Sequence, residues 1–477
     1  MGARFVSKLA RGGRSIFGKG PSAATRLGGS VLYAVPLAVI FTGHLALGAN
    51  SQALSLYFAI GQALAAIWII GTTARPQLSP AERRSLVGAV ALAGALITLM
   101  AISAGTWAIS PWAAWLELLK LTALLLTAYA GFRIARSVKT LRPLLKVFMG
   151  LGSIYLALML AGHFLLPGTV FGAEKASSED RFTASFISAN AAADLCVLLI
   201  LTSASDLTVR LASLEQAPLG LKVRLVTTQG WLSTLTLGLA GFGLILTESR
   251  AGIALGLFAL IGLVSWERLS GLGRRSRKLK GLMPVIGLGL VGVLATALAL
   301  AGRFEHAAQS AQFRQMIWAE HWRAIIEQPW LGYGPGAFEA LNRRLTSAEN
   351  FDLFTTLGAM HNVYLQWLEQ LGLLGSGLMW SLIGVVGWQV VRCVRRGGGA
   401  APDLRLVIMI SLFMLAHGLT DYGLEIPSLA SQWSLVLGSA LGLSLGAVGS
   451  PGGVKGRRRT SASRSEARSA RAAGQGQ

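Results

Sequence analysis

The chain has 477 residues, of which 53% are hydrophobic and only 13% charged. An average soluble domain carries about 25% charged residues. Mean hydropathy is positive, at +0.56. These values exclude a disordered chain, a disulfide scaffold and an ordinary cytosolic enzyme, and leave a polytopic membrane protein. A helical span needs about 20 apolar residues, so the length holds a dozen.

In chain order, apolar runs fall near 31–49, 53–72, 86–104, 113–132, 146–166, 190–206, 226–247, 251–266, 283–301, 364–391, 405–421 and 428–448. The reading is an all-α membrane protein of about twelve transmembrane helices. Residues 1–30 form a basic N-terminal segment, 31–301 carry spans 1–9, and 302–363 form a long helical connection between spans 9 and 10. Residues 364–448 carry spans 10–12, and 449–477 form a basic tail expected to be disordered.

Net charge is +22. In a soluble protein this would suggest nucleic acid; here the basic residues lie between and outside the apolar runs, so no nucleic-acid partner is expected. With a cytoplasmic N-terminus, the segments predicted to face the cytoplasm hold 34 of the 43 Lys and Arg residues. That asymmetry obeys the positive-inside rule and places both termini in the cytoplasm. The first span reads as uncleaved, for no small-x-small cleavage site follows it. Cys196 and Cys393 are expected at different depths, without a disulfide.

Two outward loops are long, 167–189 and 302–363. Within the second, 309–327 has helical spacing. Phe313, Ile317 and Ala324 share a side, Trp318, Trp322 and Ile325 lie next to it, and Pro329 ends the run. An amphipathic helix at the outer interface is expected. The glycine-rich stretch Gly332-Tyr333-Gly334-Pro335-Gly336 follows. It reads as a tight turn, with a backbone cradle for phosphate oxygens as the alternative.

Basic residues on the outer side are few. Arg181, Arg250, Arg314 and His361 lie near outer ends of spans or in outer loops. For Arg250, snorkelling or pairing with Glu248 stands beside an anion site, since a guanidinium fork matches phosphate oxygens. His361 and Asn362 open the tenth span, with Glu369 two turns on. A neutral His can accept a proton at pH 7, although a His near a membrane face is more often structural. His417 and Asp421 are one helical turn apart, compatible with an orienting hydrogen bond or with plain interfacial pairing. Glu117 and Lys120 form an i, i+3 pair that reads as structural. Asp194, one turn after Asn190, is open to either reading. No Walker loop, Asp-x-Asp or His-Glu-x-x-His is present, so neither a cofactor nor a metal is expected. The cytoplasmic loops are short, so any chemistry belongs to the outer side.

The stretch from Arg314 to Gly375 resembles the core of the O-antigen ligase and O-antigen polymerase family of bacterial cell-surface polysaccharide enzymes. The resemblance rests on Arg314 and Trp318, then Pro329-Trp330-Leu331-Gly332-Tyr333-Gly334. It continues in His361-Asn362-Val363-Tyr364-Leu365-Gln366 and Glu369-Gln370-Leu371-Gly372-Leu373-Leu374-Gly375. Upstream, Arg181 through Asn190 and Thr247-Glu248-Ser249-Arg250-Ala251-Gly252 resemble family segments, as does His417-Gly418-Leu419-Thr420-Asp421 with Pro427 downstream. Ala184 and Ser188 depart from the pattern, and Asp194 has no family counterpart.

The resemblance implies a GT-C-like membrane glycosyltransferase of the bacterial inner membrane. It would take a glycan from undecaprenyl pyrophosphate at the periplasmic face. A ligase hands the glycan to lipid A–core; a polymerase joins lipid-linked repeats into O-antigen or exopolysaccharide. It implies inversion, no metal requirement and a periplasmic site in 302–363. His361 would be a base or a phosphate contact, with Arg250, Arg314 and Arg181 holding the pyrophosphate. Asn190, Trp318, Gly334, Asn362, Glu369, His417 and Asp421 would line the substrate site. Two rival classes remain, a lipid-linked glycan transporter and a non-catalytic scaffold. A transporter gives no reason for the long outer loop.

Overall fold

A computed structural model describes residues 23–175, 180–212, 218–271, 304–355 and 357–448. The expected ninth span at 283–301 and the tail at 449–477 lie outside the described residues, as does most of the N-terminal segment.

The protein is an all-α membrane protein. The helices are α1 (Ala23–Leu45), α2 (Gln52–Thr72), α3 (Pro80–Thr106), α4 (Pro111–Ile134), α5 (Val138–Leu165), α6 (Ala189–Ala212), α7 (Leu219–Thr228), α8 (Trp231–Thr247) and α9 (Arg250–Gly271). Then come α10 (Phe304–Glu327), α11 (Phe338–Leu345), α12 (Phe351–Phe354), α13 (Val363–Arg396), α14 (Ala401–His417) and α15 (Pro427–Val448). The only described strands are β1 (Thr169–Val170) and β2 (Ala173–Glu174), paired antiparallel. Among the described residues, eight helices, α2–α6, α9, α13 and α15, are long and apolar enough to cross a membrane. Within α1, Val31–Leu45 is a shorter apolar segment, and α8 is a shorter apolar helix. Each expected span that falls on described residues coincides with a helix, because hydrocarbon leaves the backbone no outside hydrogen-bond partner.

Local signals set the helix starts. Ser79 and Glu82 form a capping box on either side of Pro80, and Pro111 and Pro427 open α4 and α15. A proline at the first helical position loses nothing, since its missing N–H would be unpaired there anyway. Helix α6 is buried from Ala191 to Ser205 without a break and forms the centre of the bundle. Between helices in lipid, close packing rather than water exclusion supplies the attraction, and small residues permit it. Gly438, Gly442 and Gly446 of α15 lie against the backbone of Ala128, Phe132 and Arg136, within and just beyond α4, with no room for a Cβ.

One end of the bundle gathers ion pairs. Arg136 lies 3.4 Å from Glu82, Arg210 2.6 Å from Asp206, and Arg405 2.7 Å from Glu267. The other end carries the 302–363 connection and the site described next. Helix α10 begins at Phe304, earlier than the expected 309, and ends before Pro329 as expected.

That connection docks on α13 through two glycines. Gly372 has φ +61° and breaks α13; a Cβ there would meet the Trp330 carbonyl oxygen at 2.3 Å. Gly332 has φ +63°, and its Cβ would meet the Glu369 carbonyl oxygen at 2.5 Å. Leu373 N–H donates to Pro329 O at 2.8 Å, and Tyr333 N–H to Glu369 O at 2.9 Å. The turn after α10 thus fills the break in α13, and both crossing points require residues without a side chain.

Candidate active site

Four elements meet at the loop end of the bundle: the entry to α6, the α8–α9 junction, the start of α13 and the α14–α15 turn. At the first, Arg181 Nε donates to Thr247 O at 2.8 Å, and its Nη2 lies 3.4 Å from Asn190 Oδ1. The pre-α6 segment is thereby tied to the end of α8. Glu248, at φ +51°, ends α8 in the left-handed region and turns the chain into α9 at Arg250. Ser249 Oγ accepts from Gly252 N–H at 3.2 Å. Gly252 itself lies against Ala193, so that an added Cβ would come within 2.8 Å. Arg250 therefore stands beside the first turns of α6.

His361 precedes α13 at φ +53°, unusual for a residue with a side chain. Its neighbours hold it there. Trp318 Nε1 donates to Met360 O at 3.0 Å, and Met360 N–H donates to Gln366 Oε1 at 3.1 Å. Asn362 caps α13 by accepting from Leu365 N–H at 3.0 Å, while its Nδ2 donates to Leu419 O at 3.1 Å. Such a cap contributes about 1 kcal/mol. Val363 N–H donates to Gly418 O at 2.9 Å. The His361 loop is thus bonded to the α14–α15 turn along its length.

The ionisable side chains form two acid–imidazole pairs. His361 Nδ1 is 3.5 Å from Asp421 Oδ1; the His361 side chain is 30% exposed and Asp421 is buried. The His361 ring meets Tyr422 edge-on, with centroids 4.9 Å apart. Asp421 Oδ1 also accepts from Tyr422 N–H at 2.7 Å. Burial alone would raise the Asp421 carboxyl. Contact with His361 and the nearby His417 imidazole outweigh it and hold the carboxyl below its usual range. Burial and the Asp421 charge push the Tyr422 hydroxyl up to about 12, opposed by a hydrogen bond with Ser188. The second pair is His417 and Asp194, Nδ1 to Oδ1 2.6 Å, both almost wholly buried. Arg314 of α10 is near enough to act electrostatically on His417. Among the described residues, His361 Nδ1, His417 Nε2 and Asp421 Oδ2 are buried with no hydrogen-bond partner.

The structure therefore brings Arg181, Asn190, Arg314, His361, Asn362, His417 and Asp421 together, with Arg250 beside α6 and Trp318 behind Met360. One expectation changes. His417 pairs with Asp194 rather than with Asp421, because the helix ends at His417 and the next three residues turn Asp421 toward His361.

Glu369 and Gly334 lie elsewhere. Glu369 is hydrogen-bonded to His321 Nδ1, and His321 Nε2 faces Asn342 Oδ1 at 3.4 Å. His321 and Glu369 are fully buried and join α10 to α13, with the His321 ring stacked on Phe338 and Phe354. Gly334 N–H donates to Gln370 O at 3.0 Å, and the residue sits against Ala108. Its amide is engaged in holding the turn, which is the plain-turn reading of the glycine stretch.

Sequence reasoning missed Tyr422, named Ser188 only as a departure from the pattern, and left Asp194 open. For Asp194 a signal existed: a lone carboxylate in an apolar run is costly in a membrane and rarely goes unpaired.

Residues 235–380 match the family model described as O-Antigen ligase. The matched stretch takes in Arg250, Arg314, His361 and Glu369, and leaves Arg181, Asp194, His417 and Asp421 outside. The O-antigen ligase of Pseudomonas aeruginosa strain PAO1 is 28% identical over 212 residues, 43% of this chain and 45% of that relative. The chain thus matches less than half the length of this curated relative. The matched segment and this relative make the chain similar to the O-antigen ligase family, and the all-helical membrane fold agrees with that likeness.

Proposed function

We propose that the chain is a membrane glycosyltransferase of the O-antigen ligase type. In this reading it moves a glycan from undecaprenyl pyrophosphate to a lipid A–core acceptor at the periplasmic face of the inner membrane. The observation that supports it best is His361, partly exposed, with its Nδ1 turned to the buried Asp421. That arrangement leaves Nε2 for substrate. A carboxylate facing Nδ1 stabilises, by its charge, the imidazolium that proton uptake creates.

The chemistry follows from the donor. Its glycosyl–oxygen bond already has a good leaving group. The acceptor hydroxyl attacks the anomeric carbon from the opposite face and its proton goes to His361 Nε2. The bond to pyrophosphate breaks with its electron pair on the leaving oxygen, which inverts the anomeric centre. Arg181, Arg250 and Arg314 are assigned to the pyrophosphate. Guanidinium forks suit its oxygens, and preorganised charge is most effective where charge develops in the transition state. Three such groups supply that charge without a metal. Asn190, Trp318 and Asn362 are assigned to shaping the substrate site, and the His417–Asp194 pair to fixing its floor.

The test is transfer by the purified full-length protein in detergent, supplied with undecaprenyl-pyrophosphate glycan with and without lipid A–core. One donor block added to lipid A–core is the expected product. A ladder formed without lipid A–core would instead establish a polymerase. His361→Ala should remain folded and lose transfer; normal transfer by that variant overturns the assignment.

A further inference from the structure

Next to His361, a chain of polar contacts joins helix α13 to the α14–α15 turn. Gln366 occupies the first turn of α13. Its Oε1 accepts from Met360 N–H at 3.1 Å, and its Nε2 donates to Glu425 Oε2 at 3.1 Å. The next residue, Trp367, donates its indole N–H to Glu425 Oε1. Both oxygens of the Glu425 carboxylate are thus taken by successive side chains of α13. Glu425 closes the short turn Gly423–Glu425, four residues after Asp421. One amide side chain therefore reaches the residue before His361 on one side and the segment carrying Asp421 on the other.

This matters because the His361–Asp421 contact is long. At 3.5 Å it is beyond the usual range for a nitrogen–oxygen hydrogen bond. Neither residue holds the other in place, so their separation is set by the two backbones. The His361 backbone is in an uncommon conformation, and a residue at φ +53° stays there only when its surroundings impose it. Three contacts do so: the Trp318 indole of α10, the Asn362 cap and Gln366. Asn362 also reaches the turn before Asp421, at Leu419 O, and Gln366 reaches it after Asp421, through Glu425. On its other side Glu425 faces a cavity of about 90 Å³ lined by Glu117, Lys120, Gln62 and Gln370, so the carboxylate is not spare surface charge.

We propose that Gln366 and Glu425 form a strut that sets the His361–Asp421 separation, and that both are positioning residues for transfer at His361. The proposal rests on the reading of His361 as the transfer centre. Neither residue touches substrate; they act through the backbone at 360 and at 421. A displacement of about 1 Å in a reacting group can cost on the order of a hundredfold in rate, so a strut one side chain long is sufficient leverage.

The experiment uses the full-length protein in detergent, with Gln366→Met, Glu425→Leu and Glu425→Gln beside the wild type. Thermal melting first selects variants that fold. The first readout is the rate at which diethyl pyrocarbonate modifies His361, followed by peptide mass spectrometry with His163 as internal control. Gln366→Met and Glu425→Leu should change the His361 rate several-fold and leave His163 unchanged. The second readout is steady-state transfer. The same variants should lose about ten- to a hundredfold in kcat with KM little altered, and Glu425→Gln, which keeps one acceptor oxygen, should recover much of the loss. Wild-type His361 reactivity and kcat in Gln366→Met overturn the strut. Gln366→Met keeps the side-chain length and carries the test alone if Glu425→Leu does not fold. Should His361→Ala prove active, the function reading falls, while the modification rates still decide whether the strut positions His361.

Discussion

His417 Nδ1 and Asp194 Oδ1 lie 2.6 Å apart, joining the last turn of α14 to the second turn of α6 inside the bundle. Asp194 Oδ2 lies against Gly423, where an added Cβ would clash with it. The carboxylate therefore holds His417 and packs against the turn that presents Asp421. Asp194→Ala leaves a buried imidazole without its partner, which costs about 1–3 kcal/mol. A lowered melting temperature in detergent and a loss of transfer are expected. Asp194→Asn keeps an oxygen for His417 and should lose less of both. Equal losses in the two variants would show that charge, not the hydrogen bond, is what His417 needs.

The docking of the connection on α13 gives a second test. Gly372→Ala must place a Cβ at φ +61° and 2.3 Å from the Trp330 carbonyl. The left-handed conformation alone costs about 1–2 kcal/mol, and the clash adds to it. Backbone must move, so the Pro329–Gly336 turn should separate from α13. Limited proteolysis within the 302–363 connection, compared with the wild type, reads this directly. Gly377→Ala, five residues along the same helix with nothing within 4 Å, is the control and should behave as wild type.

The spans and the pairings between them differ in how far the sequence was legible. Apolar runs mark the spans because lipid imposes length and internal hydrogen bonding, both one-dimensional properties. Proline after α10 was legible because it cannot continue a helix. Pairings were not. His417 and Asp421 are one turn apart in sequence, yet the helix ends between them and each finds a partner on another element. His321 and Glu369 are 48 residues apart and carry no spacing signal. Glu369 looked like part of the site because it lies two turns after His361; His361, however, stands before the helix at φ +53°, and Glu369 faces His321 of α10. The gathering of Arg181, Arg314, His361 and Asp421 followed the order of the resembled motifs, whereas the Gln366–Glu425 strut needed coordinates.

The His321–Glu369 pair yields a prediction that separates fold from chemistry. Both side chains are fully buried. Removing one partner of such a pair costs about 3–5 kcal/mol, far more than an exposed contact. Glu369→Ala and His321→Ala should each lower the yield of folded protein sharply. The double replacement by Leu and Phe, which leaves no orphan polar group, should recover part of the stability. A Glu369→Ala variant that melts like the wild type but cannot transfer would move Glu369 back to the substrate site.

The last prediction concerns pH. Glu425 lies in the turn outside the spans. Burial pushes its carboxyl up to about 7, with Glu117 adding to the rise and Lys120, Trp367 and Gln366 opposing it. An unfolded Glu titrates near about 4.3, so folding favours the protonated form. Its contribution is fully present below the unfolded value and lost as pH rises through about 7. Asp421 acts in the opposite sense: its lowered carboxyl contributes stability that is lost only on acidification below its ordinary value of about 3.9. Between about pH 5 and 8 the Glu425 contribution should therefore dominate this turn. Melting temperature should fall across that range, by the equivalent of about 1–3 kcal/mol. Glu425→Gln, neutral throughout, should flatten the profile. An unchanged slope in Glu425→Gln would show that the carboxylate is compensated by Lys120 at every pH, and the strut would then be pH-independent.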